Sequence, residues 1–134
     1  MRKHFIFLLT FYGTLFFLPL ALQAEGLREG IEKTHFANGQ LKEETGYKGG
    51  KLDGLSKAYY ENGVLQRESE YRSGKLEGVG KTYYPNGKLK AETHFKDGKR
   101  HGPHKNYDEK GHIIMEDAYQ DGALEGRQRM HHPD

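Results

Sequence analysis

Histidine is the side chain best suited to proton transfer or metal binding at neutral pH, and most of this chain's histidines lie near its C-terminus. His101 and His104 sit in a His-Gly-Pro-His run, His112 follows, and His131-His132 come almost last. Zinc needs three or four ligands in a near-tetrahedral array. No cysteine is present to contribute, and the histidine spacing matches no standard site, so these residues read as exposed positions on loops and a tail. No metal site and no catalytic residue is expected. The acids are no better placed for catalysis. Glu44, Glu68, Glu92 and Glu116 recur in near-identical surroundings, whereas an active site needs distinct environments that push pKa values apart. Ser56, Ser69 and Ser73 lack the Gly-x-Ser-x-Gly elbow of a nucleophile. The glycines do not form a phosphate-binding loop, which needs a Lys-Ser/Thr pair opening a helix: Gly80-Lys81-Thr82 runs into Tyr83-Tyr84, with Lys75 where the loop's first glycine would stand.

Tyrosine offers more. Tyr59-Tyr60 and Tyr83-Tyr84 are adjacent pairs, and adjacent residues of a strand point to opposite faces of its sheet. One ring of each pair then serves a thin core. Tyr59 and Tyr83 are left with Tyr107 as a regular ladder on the other face. Such rings suit protein contact and could also stack on sugars; the alternative is that both rings of each pair simply pack, the sheet being curled or covered.

The elements that position these residues are set by an internal repeat. Asn38-Gly39, Asn62-Gly63 and Asn86-Gly87 are spaced by 24 residues, with Lys110-Gly111 in the fourth register. The same step links Tyr47, Tyr71, Phe95 and Tyr119, and it links Gly54, Gly78 and Gly102. Asn-Gly between alternating segments is a hairpin signal, since both residues accept positive φ. A two-residue turn at each Asn-Gly places Lys33 opposite Glu44, Lys57 opposite Glu68, Lys81 opposite Glu92 and Lys105 opposite Glu116. The other face then pairs Phe36 with Leu41, Tyr60 with Leu65 and Tyr84 with Leu89. Pro85 breaks the uniformity. Pro-Asn-Gly also fits a type I turn followed by a left-handed glycine, which would shift the third unit by one and separate Lys81 from Glu92.

Between these hairpins lie segments such as Ser73-Gly74-Lys75-Leu76-Glu77-Gly78. Their glycines imply a tight connection or a close approach of backbones. The fold expected is all-β: an elongated, twisted, single-layer antiparallel sheet of tandem 24-residue repeats, one hairpin per repeat, over residues 25–134.

Residues 1–24 read as an export signal. Arg2, Lys3 and His4 precede an apolar run from Phe5 to Leu22, and Ala24 suits a cleavage position. At 18 residues the run is long for a cleaved signal and short for a membrane span, so an uncleaved N-terminal anchor is the alternative. Either reading places the remainder outside the cytoplasm, in the periplasm, on the cell surface or secreted. The full chain carries 21 basic and 19 acidic residues, and without Arg2 and Lys3 the two signs balance at 19 each. A balanced surface exerts no general pull on nucleic acid or an anionic membrane. Without cysteine, stability rests on packing and backbone bonding alone.

The repeated stretches YKGGKLDGLSKAYYENG from Tyr47, YRSGKLEGVGKTYYPNG from Tyr71 and FKDGKRHGPHKNYDEKG from Phe95 resemble the MORN repeat. They are more similar still to its bacterial variant of the YwqK-like family. A partial unit starts at Glu25 and a truncated one at Tyr119. The resemblance implies a scaffold or a protein- or membrane-contacting module. The antitoxin label of some bacterial members implies a protein partner at most. Asp108 and Lys110 depart from the pattern, which marks the C-terminal end as a frayed edge, cap or docking surface. The expectation is a non-enzymatic extracytoplasmic protein-interaction or scaffolding module without cofactor. A cell-envelope or glycan-binding module is the alternative, and a hydrolase built on His101, His104 and nearby acids comes third.

Overall fold

The computed structural model describes residues 27–131; the export segment read over residues 1–24 lies outside the described residues. Among the described residues nine strands form one antiparallel sheet in sequential order, each paired with its chain neighbours. They are β1 (Gly30–His35), β2 (Leu41–Lys48), β3 (Lys51–Tyr59), β4 (Leu65–Arg72), β5 (Lys75–Tyr83), β6 (Leu89–Lys96), β7 (Lys99–Tyr107), β8 (Ile113–Gln120) and β9 (Ala123–Met130). The sheet is a single layer, as its repeat predicts. Ala58 is the one hydrophobic residue buried among those described, and no described side chain is fully enclosed.

Two kinds of turn alternate, so each repeat holds two hairpins and not one. The glycine-rich segments taken as connections are themselves the tighter hairpins. Ser73 and Gly74 both adopt positive φ, and Arg72 pairs directly with Lys75 across them. This is the two-residue type I′ geometry. Gly49-Gly50, Asp97-Gly98 and Asp121-Gly122 repeat it.

At Asn62-Gly63 only the glycine has positive φ, which excludes a type I′ turn there. Gly63 N donates to Tyr60 O at 2.8 Å and Tyr60 N to Val64 O at 2.8 Å. That is a type I turn closed by a left-handed glycine, and Asn62 Oδ1 supports it by accepting from Val64 N at 3.1 Å. Asn38 and Asn86 do the same for Gln40 and Lys88. All the units therefore use the turn expected of Pro85 alone.

This turn shifts the nearby pairing by one residue, so Tyr59, and not Tyr60, faces Leu65. Tyr83 likewise faces Leu89, and His35 faces Leu41. The expected pairs Phe36–Leu41, Tyr60–Leu65 and Tyr84–Leu89 are thereby corrected. A bulge next to the turn restores the register: Gln66 is the extra residue in β4 and Lys90 in β6. Beyond it Lys57 pairs with Glu68 and Lys81 with Glu92. The predicted separation of Lys81 from Glu92 does not occur. Gly54, Gly78 and Gly102 lie inside β3, β5 and β7 with positive φ, close to a second bulge in each repeat. In the first such bulge Asp53, Gly54 and Leu55 stand opposite Gly46 alone.

Repeats are fastened to one another mainly by polar groups. Tyr60 Oη donates to Tyr83 O and Tyr84 Oη to Tyr107 O, both at 2.8 Å. Gly74 N reaches Leu52 O at 2.7 Å, and Gly98 N reaches Leu76 O at 2.9 Å. Asp53 and Glu77 accept from the first amides of the following tight turns, Ser73 N and Asp97 N, at 3.0 Å. A hydrogen bond of this kind contributes on the order of 1 kcal/mol, and its regular recurrence compensates for the missing enclosed core.

Candidate interaction surfaces

Strand alternation sorts the side chains onto two faces. One carries a ladder of alternating charge, one residue per strand: Lys33, Glu44, Lys57, Glu68, Lys81, Glu92, Lys105, Glu116 and Arg129, each paired with its neighbours across the sheet. Lys33 lies 3.5 Å from Glu44, Lys57 3.8 Å from Glu44, and Lys105 3.3 Å from Glu116. Lysines and glutamates are only partly exposed along most of it, so each contact adds a few tenths of a kcal/mol to about 1 kcal/mol.

Tyr59, Tyr83 and Tyr107 stand beside this ladder, on the same face. Their hydroxyls donate to Glu44, Glu68 and Glu92 at 3.4, 2.8 and 3.1 Å. Each ring therefore reaches back one repeat and is half-buried. Burial, and then the bond to Glu68, push the Tyr83 phenol up to about 12; burial followed by Glu92 raises Tyr107, and burial followed by Glu44 raises Tyr59. The row foreseen in the sequence exists, but its polar tips are already engaged within the chain.

The opposite face is lined at its centre by small polar residues. Thr45 and Ser56 share a bond of 3.2 Å, and Thr93 Oγ1 lies 2.8 Å from His104 Nδ1. An aromatic–aliphatic stripe runs alongside, pairing Tyr47 with Leu52, Tyr71 with Leu76 and Tyr119 with Leu124. Arg28 and Arg100 stack over Tyr47 and Tyr119 at 5.1 and 5.2 Å. A shallow hollow of about 450 Å³ on this side is lined by Glu43, Ala58, Tyr60, Gln66 and Arg67 among others, with no histidine in its wall.

The histidines do not gather. His104 is not on a loop, as its sequence suggested, but buried within β7. Burial, then the nearby Arg100 charge, lower its pKa. His101 also lies in β7 and comes within 3.4 Å of Asp121, whereas His112 lies 3.1 Å from Asp108. Among the described residues no group of three or more His, Cys, Asp or Glu is arranged to hold a metal ion.

Two departures from the repeat compensate each other. Lys110 replaces the turn asparagine, and Asp108 replaces the tyrosine of that turn. Asp108 Oδ1 accepts from both Lys110 N and His112 N, at 2.8 and 2.9 Å. It thus does the asparagine's work from a new position.

Two rows on the charged face escaped the sequence reading. Ile31, Leu55 and Val79 are 69, 56 and 37% exposed. They precede Lys33, Lys57 and Lys81 by two residues and so share the ladder's face. Cations pair directly across the first three tight turns: Lys48 with Lys51, Arg72 with Lys75, and Lys96 with Lys99. The 24-residue step links each row and was the signal available to find them.

The repeat defined by these turns and rows has a known counterpart. The family described as MORN repeat variant matches residues 28–48, 52–73, 76–97 and 100–121. The chain belongs to the MORN repeat variant family. Each of the later matched segments spans one cation-bearing strand, its type I turn and one glutamate-bearing strand, so the MORN unit coincides with one period of the ladder. Among solved structures, the crystal structure of accessory secretory protein 1,2 and 3 in Streptococcus pneumoniae is similar, with a TM-score of 0.42 and 14% identity. The similarity covers 71% of this chain and 18% of that chain's length. No curated protein matches the sequence.

Proposed function

We propose that this MORN repeat variant protein is a non-enzymatic protein-interaction or scaffolding module that acts outside the cytoplasm. The supporting observation is the open sheet, whose charged face presents side chains at the same step in each repeat, with nothing among the described residues laid over them. A regular, uncovered face of this kind suits an extended partner that makes equivalent contacts with successive repeats. The basic and apolar N-terminal residues support export. The YYENG and YYPNG stretches support placement in the YwqK-like group of the family. The partner is another protein, and no cofactor or nucleic acid is required.

Crosslinking the exported full-length chain in its native cells, followed by mass spectrometry, tests this reading. One stoichiometric protein partner, displaced by excess untagged chain, is expected. Recovery of envelope glycan or lipid alone would overturn the reading in favour of an envelope-binding module, for which the Tyr47–Tyr71 stripe supplies stacking rings.

A further inference from the structure

Building on that reading, we propose that the charged face seats an acidic amphipathic α-helix lying across the strands, its apolar residues on the Ile31–Leu55–Val79 ridge and its carboxylates against the cation pairs at the tight turns. Three observations meet here.

The first is spacing. Ridge residues come from alternate strands, and strands lie ~4.8 Å apart, so ridge residues recur every ~9.6 Å. A helix presents one stripe residue per heptad, at intervals of ~10.5 Å. A strand laid in the same direction repeats on one face every ~6.6 Å and falls out of step at once. A polyproline II segment, at ~9.3 Å per turn, matches the interval but takes aromatic-lined grooves. The ridge is aliphatic and stands out from the sheet.

The second is width. Val79 and Lys75 are four residues apart on β5, as are Leu55 and Lys51 on β3, a distance of ~13 Å at most. A helix is ~10–12 Å across with its side chains, so one seated on the ridge brings its flank against the cations. A polyproline segment is too thin to touch both rows.

The third is charge. Lys48, Arg72 and Lys96 lie four residues beyond Glu44, Glu68 and Glu92 on their strands, which keeps them on the ladder's face. Like charges placed directly opposite one another oppose sheet pairing, yet every one of these pairs is exposed. Among the described residues, Lys75 alone of the six cations has a carboxylate partner, Asp97 at 3.3 Å. Residues 25–134, with 19 basic and 19 acidic side chains, thus gather cations along one margin of one face. Glu70 and His94, opposite Leu55 and Val79, and Glu77, opposite Glu70, are polar interruptions the helix must step over. Glu77 and its counterpart Asp53 stand between ridge and cations with their carboxylates turned to the amides of Asp97 and Ser73.

The test uses the full chain and a three-heptad helical peptide with leucine at each seventh residue and glutamate on both flanks, followed by fluorescence anisotropy. The same peptide with lysine flanks, a proline-rich peptide and phosphatidylglycerol vesicles are the controls. The glutamate peptide is expected to bind, and the lysine peptide is not. The double variant Leu55→Ser/Val79→Ser and the double variant Lys75→Glu/Lys99→Glu should each weaken binding by roughly tenfold. These side chains are exposed, so circular dichroism should be unchanged. Absent binding, equal binding of both helical peptides, tighter binding of the proline-rich peptide, or binding that survives both variants would overturn the assignment. So would vesicle binding that depends on the cations and ignores Leu55 and Val79. A protein captured from cells that fails to displace the glutamate peptide overturns the helix and leaves the interaction module standing. Failure to capture any protein removes the module itself.

Discussion

At the scale of single residues, the tyrosine–glutamate contacts govern how the sheet responds to pH. Tyr83 is raised to about 12, first by burial and then by Glu68. Its contribution is complete below the unfolded value near 10 and fades as pH rises towards 12. Alkaline titration of unfolding should therefore show stability falling across that window, with a smaller fall in Tyr83→Phe. At neutral pH the same variant should lose about 0.5–1.5 kcal/mol, the worth of one partly solvated hydrogen bond. His104 works in the opposite direction. Burial lowers its pKa from the ordinary 6.5, so its neutral form is favoured by folding, and stability is retained above that value. Stability should fall as pH drops below about 6.5, and a His104→Gln variant should lose this step in urea titrations between pH 7 and 5. A slope unchanged by that variant would show that other groups carry the acid response.

At the scale of elements, the paired bulges are what the sequence conveyed least. The 24-residue step, the four Lys–Glu pairs and the single-layer sheet were legible because every unit repeats them. The turn type was not, since Asn-Gly serves equally as the centre of a type I′ turn and as the last two residues of a type I turn with a left-handed glycine. The type I turn displaces the register and the bulge at Gln66 restores it, so Lys57–Glu68 was correct although the turn beside it was not. The ridge was hidden for a similar reason. Leu55 and Val79 sit in glycine-rich segments whose bulges reset the alternation from which a face is read. Gly63 makes the turn testable: an alanine there must hold a left-handed φ, which costs about 1–2 kcal/mol. The loss should appear as a lower denaturation midpoint with an unchanged slope. In the fourth unit, Asp108→Ala should instead speed amide exchange at Lys110 and His112 and leave the first three type I turns protected.

At the scale of the whole molecule, each strand pairs in the sheet only with its chain neighbours, and stability is approximately a sum over repeats and their junctions. Removing residues 73–96 takes out β5, β6, one tight turn and one type I turn, and it joins Arg72 to Asp97-Gly98, which supply an equivalent tight turn. The shortened chain should remain folded, keep its β spectrum and unfold with a smaller denaturant dependence in proportion to the surface lost. Collapse to an unfolded chain would mean that the four units form one indivisible core. The same one-dimensional construction gives the protein two broad faces, of which the charged one is the surface proposed to receive the partner.

Side-chain footprinting of the chain alone and with its captured partner tests that claim most directly. Carboxyl, lysine and tyrosine labelling should show protection at Lys51, Lys75, Lys99 and Glu70, while Glu43 and Tyr71 on the opposite face keep their free reactivity. Protection centred on Glu43, Tyr71 and the small polar row, with the lysines still reactive, would contradict the account and make the other face the working one.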